Sequence, residues 1–333
     1  MARSPLILAA VAASAVDGVE VSAVAPLGDL AGPYPPESYD SALLRTVDDR
    51  QLVIRAPRTQ SADVEQSAEL GALRALSPGI RERLPFEVSS ALGTAPLGPT
   101  RAVILDHLPG RPASLRQLSH DEASSIGAAL AAIHSLPTSL ITDAGLPAQT
   151  PASARRAAYE VIERAVGTGV VPVALEQRWG RAVDDAELWQ YSPVVIHGGL
   201  SASCLFVAEG GVVGVAGWHA LQLGDPARDL AWLISAPGDG ITDSAIGSYL
   251  RERGTSDRTL RERAELRAEL ETAQWMLHGM ATQSTEIVDD AVEMMSRLVD
   301  RIAQRDTGSI RTRAEPLDVS EVESLLDRTQ RAG

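Results

Sequence analysis

The chain has 333 residues, 44% of them hydrophobic and only 4% aromatic, with a formal net charge of −14. That length supports one large two-lobed unit or two ordinary domains, and so acidic a balance speaks against general nucleic-acid binding. One cysteine excludes an internal disulfide and a cysteine-based metal centre. No apolar run reaches the length of a membrane span, and with no lysine present every basic side chain other than histidine is arginine.

The N-terminus reads in two ways. Ser4-Pro5 is a good start for a short helix over 4–15. Arg3, the apolar run 6–11 and the triplet Ala13-Ser14-Ala15 also fit a secretory signal. The helix, in a cytoplasmic protein, is the reading taken forward. Residues 19–24 predict a strand, and 41–47 with 51–55 a hairpin across Asp48-Asp49-Arg50. Between them, residues 27–36 are long and proline-rich. Each proline removes an N–H donor, so this segment suits a fixed surface loop, or a lid that blocks a pocket, better than a phosphate cradle.

A helix follows over 61–76, with apolar Val64, Ala68, Leu70, Leu73 and Leu76. Residues 102–108 read as a buried strand ended by Pro109-Gly110, and 123–136 as a strongly apolar helix carrying His134. Further helices are predicted over 152–165, 175–188, 259–279 and 285–303. Trp275, Met276, Met280, Met294 and Met295 are expected in the core. From Thr307 the chain is linker-like until Ser320-Glu321-Val322-Glu323 signals a terminal helix.

Residues 205–207 and 212–215 are β-rich runs joined by Ala208-Glu209-Gly210-Gly211, a turn with two residues tolerant of positive φ. Pairing Val207 with Val212 sets Cys204 opposite Val215. The loops on either side of the hairpin then meet at its open end, where opposed Cα atoms are about 4.5–5.5 Å apart. Two polar groups placed there would grip one metal ion and a polyphosphate.

That stretch, IHGGLSASCLFVAEGGVVGVAGWHALQLGDPARDLAWL over 196–233, together with the LAAIHSLP helix, resembles the aminoglycoside and macrolide phosphotransferase family. The resemblance covers most of 41–303. It implies an α+β, two-lobed, protein-kinase-like fold: a small antiparallel-sheet N-lobe over 1–104, a mainly helical C-lobe over 105–305, and a tail over 306–333. It also implies ATP or GTP in the cleft, with Arg55 of VIRAPR as the phosphate-side cation and Glu69 of AELGALRAL as its helical partner.

The family pattern is H-G-D-x-x-x-x-N, a hairpin, and an Asp before Trp. The first Asp receives or orients the substrate-hydroxyl proton; the Asn and the second Asp hold Mg²⁺. Here His197 is kept and those three positions are Gly199, Cys204 and Gly217. Glycine has no proton acceptor, and neither a thiol nor a hydrogen suits a hard cation, so Mg²⁺ is not expected.

Three readings remain open. One is a pseudokinase acting as a nucleotide- or partner-binding module. The second is an active small-molecule O-phosphotransferase using displaced acids, with Asp225, Asp229 and Asp106 as candidates. The third is a scaffold that holds no nucleotide and meets a protein partner through its C-terminal helix. The plainer role for Asp225 and Asp229 is to fix a turn and cap the helix near Pro226, and for His197 to tie the loop backbone. The acidic surface suits a cationic small molecule; neither nucleic acid nor a membrane is an expected partner.

Overall fold

The computed structural model describes residues 3–254 and 257–311, with 305–311 described by their backbone alone. The predicted terminal helix lies outside them. The chain forms two compact units, one of Met1–Tyr159 with Ala182–Ala268 and a second of Glu160–Arg181 with Glu269–Gly333.

The N-terminal part of the first unit is a five-stranded antiparallel sheet in the order β1-β2-β3-β5-β4. Its elements are α1 (Pro5–Ala15), β1 (Val21–Pro26), β2 (Tyr39–Thr46), β3 (Gln51–Pro57), α2 (Gln60–Ala75), α3 (Pro78–Arg81), β4 (Ala91–Leu97) and β5 (Thr100–Asp106). Ser4 caps α1, accepting from the Ile7 amide. Leu8 and Ala12 then bury completely with Leu44, Leu52, Ile54 and Ile104 of the sheet. The ambiguous N-terminal segment is thus a packed helix. The opposite face sets Val103 and Leu105 in one core with Leu70 and Leu73 of α2. Strand β4 gave no signal because ALGTAPL carries Gly93 and Pro96. Both are tolerated on an edge strand, here with a register shift between Ala91 and Gly93.

The chain continues through β6 (Arg111–Pro112), α4 (His120–His134), α5 (Ser139–Asp143), α6 (Pro151–Val166), α7 (Val173–Asp184), β7 (Val194–Ile196), β8 (Leu205–Ala208), β9 (Gly211–Val215), β10 (Gln222–Gly224), α8 (Ala227–Leu230), α9 (Ile241–Arg253), α10 (Leu260–Ala281) and α11 (Thr285–Arg311). This part is mainly helical, with β6-β8-β9 and β7-β10 as small sheets.

Helix α9 was not anticipated: Gly, Thr and Ser interrupt ITDSAIGSYLRER and leave no clear apolar stripe. It is held by tertiary packing against α4. The two backbones approach so closely that a Cβ on Gly127 would lie 2.1 Å from the Ala245 carbonyl.

The hairpin pairs Val207 with Val212 as expected, but Val213 is an extra residue on β9, so Leu205 rather than Cys204 faces Val215. The bulge frees β9 to bond Glu87, which donates to the Val213 carbonyl at 2.9 Å and accepts from the Val215 amide at 3.0 Å. Cys204 instead ends a 3-10 turn over Ala202–Cys204.

In the second unit Leu175, Trp179, Ala273, Met276, Ala291 and Met295 are fully buried. Glu269 accepts from the Trp179 indole at 2.9 Å and from Arg178 at 3.0 and 3.1 Å. Trp275 and Met294 are 40% exposed, contrary to expectation. Each precedes a buried methionine, and neighbours one residue apart on a helix point about 100° apart. Helix α11 runs to Arg311, past the predicted start of the linker. Among the described residues no helix is long and apolar enough to cross a membrane.

Candidate functional site

Asp229 pins the loop that follows β7, at His197 and Gly198. Its carboxylate is fully buried and accepts from the His197 amide at 2.7 Å, the Gly198 amide at 2.8 Å and His134 Nε2 at 3.1 Å. Tyr249 OH closes the chain on His134 Nδ1 at 3.0 Å. Burial pushes the Asp229 carboxyl up, but the hydrogen bonds it accepts, from His134 first and from the Gly198 amide, outweigh it and hold the group below its ordinary value.

His197 is fully buried against Trp218, ring centroids 4.7 Å apart, with Nε2 3.0 Å from the Ala216 carbonyl. A carbonyl only accepts, so Nε2 carries the hydrogen and Nδ1, which has no partner among the described residues, is the lone-pair nitrogen. Burial lowers the pKa of this ring, with Asp229 and the Ala216 carbonyl pulling the other way. Below pH about 6.5 the unfolded chain protonates this imidazole while the folded chain does not, so acidification through that window favours unfolding. The thermal midpoint is expected to fall between pH 7 and pH 5, and to fall less in His197→Gln. Equal slopes in both proteins would exclude this assignment.

The expected ion pair is formed. Arg55 on β3 and Glu69 on α2 are both buried, with Arg55 Nη2 bonded to Glu69 Oε2. Burial opposes the charge on Arg55, but Glu69 and Tyr34 more than compensate and raise its pKa. Tyr34, from the proline-rich segment, lies over this pair. Its ring centroid is 3.7 Å from the Arg55 guanidinium carbon; its hydroxyl donates to Glu69 Oε1 and accepts from the Gly217 amide at 3.0 Å. Arg55 Nε and Nη1 have no hydrogen-bond partner among the described residues. Burial pushes the Tyr34 phenol well above its usual range, Arg55 opposing and Glu69 adding, so it stays a donor.

The segment therefore packs Tyr34 directly onto the Arg55–Glu69 pair. The space left among Tyr34, Arg55, Glu69, residues 105–108 at the end of β5 and Trp218 is about 40 Å³. Sequence reasoning missed Tyr34; the available signal was a single aromatic residue held between Pro33 and Pro35.

The three empty positions are also packed. Gly217 has φ +82°, and a Cβ there would lie 3.2 Å from Pro33 and 3.3 Å from Cys204 Sγ. Cys204 is buried, which raises its thiol pKa, and its Sγ faces the Gly199 carbonyl at 3.7 Å. Among the described residues no three His, Cys, Asp or Glu side chains gather to hold a metal. The residues present do not fit Mg²⁺.

Like Asp229, the candidate acid Asp225 is engaged by its neighbours. Asp225 accepts from Arg263 Nε at 3.1 and 3.0 Å and from the Ala227 amide at 3.0 Å; burial raises its pKa while Arg263 opposes. Asp106 ends β5 at the wall of the small cavity, its pKa raised by burial. A wider groove of about 880 Å³ lies at the end of α2 beside α3 and β4. There Arg81 donates to the carbonyls of Leu73, Leu76 and Val88, which gives it a structural role.

A buried Arg-Glu pair beneath an antiparallel sheet, and a His loop pinned by an Asp after a hairpin, define a kinase-like phosphotransferase scaffold. Residues 35–268 match the model of the phosphotransferase enzyme family (APH), and the chain belongs to that family. Solved structures agree on the fold. Macrolide 2′-phosphotransferase MphH from Brachybacterium faecium is 20% identical with a TM-score of 0.69, over 87% of this chain and 97% of that one. A macrolide 2′-phosphotransferase type I is 24% identical with a TM-score of 0.67, over 89% and 98%. The GDP complex of aminoglycoside 2′-phosphotransferase-IIIa is 16% identical with a TM-score of 0.71, also over 89% and 98%. No curated protein sequence matches the chain.

Proposed function

We propose that this chain is a family member that has given up phosphoryl transfer and serves as a metal-independent binding module, its nucleotide cleft closed by its own lid. The observation that carries this reading is Tyr34 seated on Arg55, Glu69 and the Gly217 amide. The about 40 Å³ that remains is far below the about 300–1,000 Å³ of ordinary ligand pockets. The absence of oxygen ligands at Cys204 and Gly217 supports the same reading, because positioning and charge neutralisation provide nearly all of phosphoryl-transfer catalysis.

The molecule bound would be a hydroxylated, cationic small molecule on the acceptor side. Relatives of this fold are described in complex with kanamycin, gentamicin and streptomycin, and the net charge of −14 favours a cation.

ATP titrated calorimetrically into the purified protein is expected to give no binding heat with Mg²⁺ or with EDTA. Tyr34→Ala is expected to admit ATP on the uncovered Arg55 with the same affinity in both buffers. Mg²⁺-dependent binding or phosphate transfer by the unaltered protein would overturn the proposal.

A further inference from the structure

One side chain beside the degenerate loop is unaccounted for. A left-handed Gly217 starts the 3-10 turn Trp218–Ala220. Trp218 turns inward, fully buried, its indole donating to the Val215 carbonyl at 2.9 Å. His219 is only half-buried, and neither of its ring nitrogens is hydrogen-bonded to a described residue. The turn and the loop are in near contact: with φ +82° at Gly198, a Cβ there would lie 2.2 Å from the Ala220 carbonyl, which only glycine permits. The same approach places His219 Nε2 3.3 Å and Cε1 3.5 Å from the point a Cβ on Gly199 would occupy. The imidazole edge thus lies in van der Waals contact with the point where a side chain of residue 199 would begin.

We infer that His219 is the ligand-facing polar group of this site, having taken over the position left by Gly199, and that it accepts a hydrogen bond from a hydroxyl of the bound molecule. A neutral imidazole offers one acceptor nitrogen and one donor, so it replaces a carboxylate as hydroxyl acceptor without demanding a metal beside it. The other polar groups of the loop are committed elsewhere. Ser201 pairs with Ser203 at 2.9 Å, the Cys204 thiol points to the Gly199 carbonyl, and Asp229 is enclosed. The inference rests on the proposal that the acceptor side still binds a hydroxylated small molecule.

The test is a calorimetric titration with kanamycin, a polyhydroxylated amine, against three proteins: the unaltered chain, His219→Ala, and His219→Ala combined with Gly199→Asp. Binding to the unaltered chain, about tenfold weaker binding to the single variant and recovery in the double variant are expected, since one hydrogen bond carries about a factor of ten. Gly199 has no left-handed φ, and its nearest neighbours there are His219 and the Ala220 Cβ, so an added side chain is accommodated once His219 is shortened.

Equal affinity in the unaltered and His219→Ala proteins would remove His219 from the site while leaving the binding proposal standing. No kanamycin binding at all would overturn both. Loss without recovery in a folded double variant would show that the two positions do not share one role. Carbethoxylation of His219 in the unaltered protein gives a second readout that needs no variant to fold. Kanamycin is expected to slow it, and an unchanged rate under saturation would count against the contact.

Discussion

Replacing Asp229 with alanine is expected to cost about 3–5 kcal/mol of folding stability, most of the margin of a typical domain. Three buried donors converge on this carboxylate: the His197 and Gly198 amides and His134 Nε2. Alanine leaves all three without an acceptor in a fully buried place, and each unmet buried group costs about 1–3 kcal/mol before relaxation. Asn is expected to be nearly as damaging. Its amide turns a donor toward the loop amides on one side or toward His134 on the other. Urea unfolding with an unchanged m value is the measure. A loss under about 1 kcal/mol would mean that the loop is held by something else.

Removing Glu69 is the second large effect. Arg55 is 1% exposed, and Glu69→Ala would leave its guanidinium buried without a counter-charge, at a cost of about 3–5 kcal/mol. The same change takes the acceptor from Tyr34 OH and one of the two acceptors of the Gly217 amide, which loosens the seat of Tyr34. Replacing both partners with apolar groups, Arg55→Met with Glu69→Leu, is expected to be much milder, because exchange of a buried pair for packed apolar volume is often neutral. A double variant as unstable as the single one would show that the pair carries stability by itself. A mild one would mark it as retained from a ligand-binding site, now satisfied from within by Tyr34.

The resemblance at the loop, hairpin and GDPARD segment placed the fold, because those motifs combine a spaced His, tight turns and a Pro-started helix whose local chemistry is readable. The Arg55–Glu69 pair was readable for the same reason, with each residue at a defined point of a strand or helix. What could not be read was every feature set by a neighbour distant in sequence. The extra residue at Val213 answers to Glu87, and α9 forms because Gly127 lets it approach α4. The outward turn of Trp275 and Met294 follows from which helix face their unit buries.

Within the site the same division holds. Sequence by itself determined what the side chains at three positions offer, since Gly199 and Gly217 carry neither a proton acceptor nor an oxygen ligand and Cys204 carries only a soft thiol. It also determined that residues 27–36 would make a poor phosphate cradle, because proline has no N–H to offer. Only the tertiary structure decided that Tyr34 of that segment reaches Glu69 and the Gly217 amide, and that His219 stands beside the empty residue 199. Composition limits which interactions a residue can make. Which of them it does make depends on groups brought within a few ångströms by long-range packing, and local sequence carries no measure of that distance.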